Sequence, residues 1–230
     1  RAVSIMVKKR YLPSIVGLFV ALGLPFTFSL YLGTVRDHLE DHARVIQALA
    51  REWGIVIILL LLIVFWERQS LSSIGIRRMS WQDALWALGG FLLGAVSFII
   101  TGPIVGMLGL GTTASGITVL AQTPVALRVA IVLTAGVTEE ILFRGYPIER
   151  LYRLTGRLGL SAGIAYLAFT ALHIPFWGLG GTIQIGVWSL IVTALYVWRR
   201  NLLACMLMHI LNDAYAFILL PSLFAQYLLR

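Results

Sequence analysis

The stretch Leu202–Leu220, LLACMLMHILNDAYAFILL, decides the fold. A run of this length and apolarity can cross the hydrocarbon core of a bilayer as one helix. Yet it carries His209, Asn212 and Asp213, and because ionisable groups are costly at membrane depth, such residues mark a functional site by default. Two further strings repeat the pattern inside or beside apolar runs of their own. They are Glu139-Glu140-Ile141-Leu142-Phe143-Arg144 and Phe169-Thr170-Ala171-Leu172-His173.

The whole chain is built the same way. Of its 230 residues 59% are hydrophobic and only 12% charged, and the mean hydropathy is +0.90. That composition excludes a soluble globular domain and predicts an all-α fold, a polytopic transmembrane helical bundle. A single cysteine, Cys205, excludes an intrachain disulfide framework and a Cys-rich zinc site, leaving any metal to His and carboxylates. The 18 basic residues outnumber 10 acidic ones, but they form short clusters between apolar segments. This is a topology signal rather than a phosphate-binding surface, so nucleic acid is not an expected partner.

Runs of about 17–25 apolar residues give seven expected spans: Tyr11–Leu32, Leu49–Trp66, Ala84–Val105, Arg128–Ile148, Leu160–Trp177, Thr182–Trp198 and Leu202–Leu220. The second is the weakest, since Arg51 and Glu52 precede its continuous apolar core. The segment after Lys8, Lys9 and Arg10 reads as a span and not a signal peptide, being long for an h-region and lacking a clear small-residue cleavage site. Residues 1–230 form one integral membrane domain, with a motif-bearing core at about 81–220 and less characteristic spans in 1–70.

With a cytoplasmic N-terminus, 13 of the 18 basic residues fall inside: Arg1, Lys8, Lys9, Arg10, Arg68, Arg77, Arg78, Arg144, Arg150, Arg153, Arg157, Arg199 and Arg200. The other five, Arg36, Arg44, Arg51, Arg128 and Arg230, fall outside. This positive-inside bias sets the expected orientation.

Helical spacing groups the polar residues. Glu140 and Arg144 are four apart and can pair on one face, while Glu139 points about 100° away. One glutamate is therefore expected to be structural, and the one without a cation becomes the candidate general base. Phe169 and His173 share a face, as do Cys205, His209 and Asp213, with Asn212 slightly offset. An imidazole and a carboxylate one turn apart can hold a water, bind a metal or donate to an oxyanion, and spacing leaves all three open.

In order, EExxxR, FxxxH and HxxxN/D resemble the three motifs of the CPBP family, the CAAX prenyl endopeptidases of Ras-converting type and the bacterial Abi or bacteriocin-processing proteins. Every motif position is matched over roughly Trp81–Leu220, with Asp213 standing where the prenyl endopeptidases usually have Asn. The resemblance implies a membrane-embedded endopeptidase with a polar cavity within the bilayer. In it Glu139 activates water with help from His173, His209 and Asp213 stabilise the oxyanion, and Glu140, Arg144, Phe169 and Asn212 support the site. The implied substrate is a hydrophobic, lipidated or membrane-associated peptide or protein cleaved near its C-terminus, reached from the lipid bilayer. The implied setting is a bacterial or archaeal plasma membrane. A cofactor is left unassigned; for a divalent metal such as zinc the candidate ligands are Glu139, His173 and His209.

Plainer readings stand beside these. A lone buried histidine is usually a packing residue, and Asn212 can simply bond a neighbouring helix. The cluster Asp37, His38, Glu40, Asp41 and His42 has metal-like spacing, but its charged setting favours a solvated interfacial helix. Cys205 reads as a small apolar residue, and Trp53, Trp66, Trp81, Trp177 and Trp198 as interface anchors, with Trp177 also a candidate for the cavity mouth. A non-catalytic scaffold, immunity factor or regulator retaining the fold is the rival function. One tension remains, in that His173 would lie about 20 Å along its span and His209 only about 10 Å into its own. Convergence needs tilt, uneven span ends or a kink near Pro175.

Overall fold

The computed structural model describes residues 11–27 and 41–223, and every regular element among them is helical. In chain order these are α1 (Tyr11–Thr27), α2 (His42–Trp66), α3 (Trp81–Met107), α4 (Thr113–Ala121), α5 (Val125–Glu140), α6 (Tyr146–Thr155), α7 (Leu158–Leu172), α8 (Ile174–Arg199) and α9 (Leu202–Leu223). Helices α2, α3, α8 and α9 are long and apolar enough to cross a membrane, while α1 and α7 are shorter apolar helices. The protein is an integral membrane helical bundle.

Side chains at the helix starts explain several boundaries. Asp41 accepts from Arg44 N at the start of α2, and Ser80 with Asp83 forms a reciprocal capping box on α3. Thr112 caps α4, and Asn201 accepts from two amides of α9. The Asp41 cap starts the second span earlier than Leu49, and Arg51 and Glu52, which precede its apolar core, lie well inside the continuous helix. Asp41 also pairs with Arg44 on the exposed helix start at 2.9 Å, while Asp37, His38 and Glu40 lie outside the described residues. So do Arg1, Lys8, Lys9, Arg10, Arg36, Arg230 and the last residues of the expected first span.

Two other boundaries move. The fourth expected span is divided among α5, a π-helical turn Ile141–Gly145 and α6. The fifth ends at Leu172 instead of Trp177, and α8 begins at Ile174, eight residues before Thr182. Pro175 accounts for this break: it has no N–H to donate to the carbonyl of Ala171, its ring crowds that carbonyl, and it suits the first turn of a new helix. Gly178, with φ 68° and ψ 179°, then interrupts α8 in a conformation that essentially only glycine adopts. Between the third and fourth expected spans, α4 is anchored where Thr113 N donates to Gln184 Oε1 at 2.8 Å.

Several basic residues counted as loop charges are interior. Arg144 and Arg150 are fully buried, and Arg128 is buried and donates to Phe217 O at 2.9 Å. Arg150 pairs with Glu67 at 2.6 Å, and Glu67 also accepts from Ser14 Oγ and Tyr146 OH, tying α1 and the end of α2 to α6.

The core lies where α2, the π-helical turn Ile141–Gly145, α6, α7, α8 and α9 meet. Helices α5 and α9 approach closely at Gly136, where an added Cβ would sit 2.4 Å from Ile210 Cγ1 and 3.2 Å from Ile210 N. Because backbone as well as side chain would have to move, Gly136→Val is expected to destabilise by about 1–3 kcal/mol or more. A thermal-melting comparison with the parent checks this, and an unchanged midpoint would refute the close approach.

Candidate active site

The end of α5, the end of α7 and the middle of α9 bring the polar residues together. Glu140 is fully buried, and its Oε1 accepts from Arg144 Nη1 at 2.9 Å. The same oxygen lies 2.8 Å from His209 Nδ1. Arg144 is held from three directions, since Nη2 also donates to Ser189 Oγ at 2.8 Å and the guanidinium lies 3.9 Å over the Phe169 ring. Such a pair is tolerable in a dry interior only with this kind of added hydrogen bonding and stacking.

His209 faces a carboxylate from each ring nitrogen. Nδ1 meets Glu140, while Nε2 lies 3.4 Å from Asp213 Oδ2 and 3.9 Å from Glu139 Oε2. The ring also stands edge-on to Trp188, with centroids 4.8 Å apart. Asn212 Nδ2 donates to Asp213 Oδ1 at 3.2 Å.

His173 occupies the break between α7 and α8. Its Nδ1 lies 2.8 Å from Phe169 O, and a carbonyl only accepts, so Nδ1 carries the proton and neutral imidazole keeps its lone pair on Nε2. The ring packs on Phe169 with centroids 4.3 Å apart. Phe169 therefore orients both His173 and Arg144. Glu139, His173, His209, Asn212 and Asp213 all line one cavity of about 510 Å³ whose remaining walls are largely apolar.

The residues singled out in the sequence thus converge, with His173 at the break between α7 and α8 just before Pro175. Cys205 stands apart from them: it is buried with Sγ 3.8 Å from Val192 O and does not line the cavity. Trp177 lines it, as a residue at the cavity mouth would, and Trp53, read only as an interface anchor, also donates from Nε1 to Thr134 Oγ1 at 3.0 Å. Sequence reasoning missed Glu52, a further cavity residue on α2. Its signal was the same as for the other acids, an ionisable residue in an apolar run. It was instead read as a mark against the span.

Among the described residues no three His, Cys, Asp or Glu side chains form a group suited to a metal ion. His173 keeps the lone pair of Nε2, its Nδ1 being engaged by a carbonyl, but both His209 nitrogens face carboxylates and leave no lone pair directed at a shared point. The candidate ligands Glu139, His173 and His209 therefore do not form a fitting set as arranged.

No curated protein and no solved structure matched this chain in comparison. Residues 121–215, however, match the model of the family described as type II CAAX prenyl endopeptidase Rce1-like. That segment contains all three motifs, so it is over this part of the membrane protein that the chain is similar to the Rce1-like endopeptidases.

Proposed function

We propose that the chain is a membrane-embedded endopeptidase in which Glu139 activates the attacking water. The observation that carries this reading is the convergence of Glu139, His173 and His209 from three helices on one cavity. Glu139 takes a proton from water as the oxygen attacks the scissile carbonyl, and His173 Nε2 orients that water by accepting its other hydrogen. His209 donates from Nε2 to the developing oxyanion. Asp213 has no proton to offer as a carboxylate, so it acts by holding the His209 ring while Asn212 holds Asp213. When the intermediate collapses, Glu139 returns its proton to the leaving amine, and the C–N bond breaks with no net change in the enzyme.

The apolar walls suit a hydrophobic or lipidated peptide reached from the bilayer. The deciding experiment is hydrolysis of prenylated and unprenylated peptides by the purified parent protein and by Glu139→Ala. Cleavage by the parent alone supports the reading; no cleavage of either peptide by the parent leaves the scaffold reading in its place.

The proposed orientation has the N-terminus inside a bacterial or archaeal plasma membrane, following the basic asymmetry. Cysteines placed at Arg78 and Arg153 should label from the inner side. Labelling from the outer side alone would reverse the topology.

A further inference from the structure

The cavity's acid on α2 lies outside the segment that matches the endopeptidase family. Glu52 Oε1 is within hydrogen-bond distance of Thr138 Oγ1, on the residue immediately before Glu139. Its neighbour Trp53 bonds Thr134, one turn earlier on α5. Two consecutive residues of α2 therefore grip the part of α5 that leads into Glu139.

A proton count gives the contact its meaning. Thr138 Oγ1 also lies 2.8 Å from Thr134 O, and a hydroxyl has one proton while a carbonyl has none. If the hydroxyl donates to Thr134, the proton in the other contact has to come from Glu52. Charge points the same way. Among the described residues no Lys or Arg forms an ion pair with Glu52, whereas Glu140 has Arg144. The titratable groups sharing its cavity are Glu139 and Asp213 with His173, His209 and Tyr215, together with Arg51 beside it on α2. A second carboxylate next to Glu139 at membrane depth would meet both desolvation and like-charge repulsion.

We propose that Glu52 is a positioning residue of this site, a proton-bearing carboxyl that donates to Thr138 and so fixes the α5 terminus while leaving Glu139 to act as the base. The proposal rests on the reading of Glu139 as the water-activating residue. It adds no covalent step, and the Glu52 proton stays in place through the cycle.

Infrared difference spectroscopy tests the proton without requiring turnover. Purified parent, Glu52→Gln and Glu139→Gln are compared at neutral pH in the region of the protonated-carboxyl carbonyl stretch. A component lost in Glu52→Gln and kept in Glu139→Gln is expected; a spectrum unchanged by Glu52→Gln overturns the proposal. Kinetics test the positioning. Glu52→Ala is expected to lower kcat about tenfold with KM near the parent value, and Glu52→Gln, which keeps a neutral donor, to recover most of that loss. Unchanged kcat in Glu52→Ala would reduce the contact to helix packing, and a loss in Glu52→Gln as deep as in Glu139→Gln would mean an ionised Glu52. If the parent itself cleaves nothing, the Glu139 reading fails, and the infrared result still decides where the proton sits.

Discussion

Glu139→Gln is expected to lower turnover by about 10²–10⁴-fold, the range supplied by a positioned general base, while the protein still folds and melts near the parent temperature. The substitution keeps the size of the side chain and removes its ability to take a proton. Stability should survive because Glu139 makes no close ion pair: its nearest cationic partner is His209 Nε2 at 3.9 Å, and its side chain is 23% exposed to the cavity. His173→Ala and His209→Ala belong to the same series, with His209→Ala expected to cost about 10²–10³ through the lost oxyanion donor. Rates are measured on the peptide that the parent cleaves. Full activity in Glu139→Gln would falsify the assignment of the base.

Arg144→Ala should act in the opposite way, on the amount of folded protein. It removes the cation beside a fully buried carboxylate, the hydrogen bond to Ser189 and the stacking on Phe169 together. Breaking a buried pair from one side typically costs about 3–5 kcal/mol, a large share of the roughly 5–15 kcal/mol that holds a domain folded. His209 Nδ1 remains beside Glu140 and offsets part of the loss. Removing both charges, as in Glu140→Gln with Arg144→Met, should therefore restore part of the stability lost in Arg144→Ala, because no uncompensated charge stays buried. Yield and melting of the single and double variants decide the point. An Arg144→Ala protein as stable as the parent would show that the pair contributes nothing to the fold.

The spans were legible because lipid-facing helices need apolar residues all round, and the runs in α2, α3, α8 and α9 are long. Their ends were less so. Hydropathy carried the fifth span on to Trp177, but the ring of Pro175 ended helix α7 at Leu172, and only a local stereochemical argument separates the two. Within the site, Glu140 and Arg144 were readable as partners since they are one turn apart. The bond from His209 to Glu140 spans 69 positions, and the contact of Glu52 with Thr138 spans 86. No periodicity in either segment encodes such a meeting. It depends on close helix approaches such as Gly136 against Ile210, whose partner the sequence does not name.

The Oε1 atom of Glu140 serves two masters, the guanidinium that secures the bundle and the imidazole that we propose meets the substrate. Durability and turnover therefore draw on one oxygen. Variants selected at positions 140 or 144 for resistance to heat would drift the His209 ring at the same time, and a screen for hardiness there would quietly select against speed. Protein engineers seeking a tougher protein should look to the Glu67–Arg150–Tyr146 cluster instead, which ties helices together without touching either histidine.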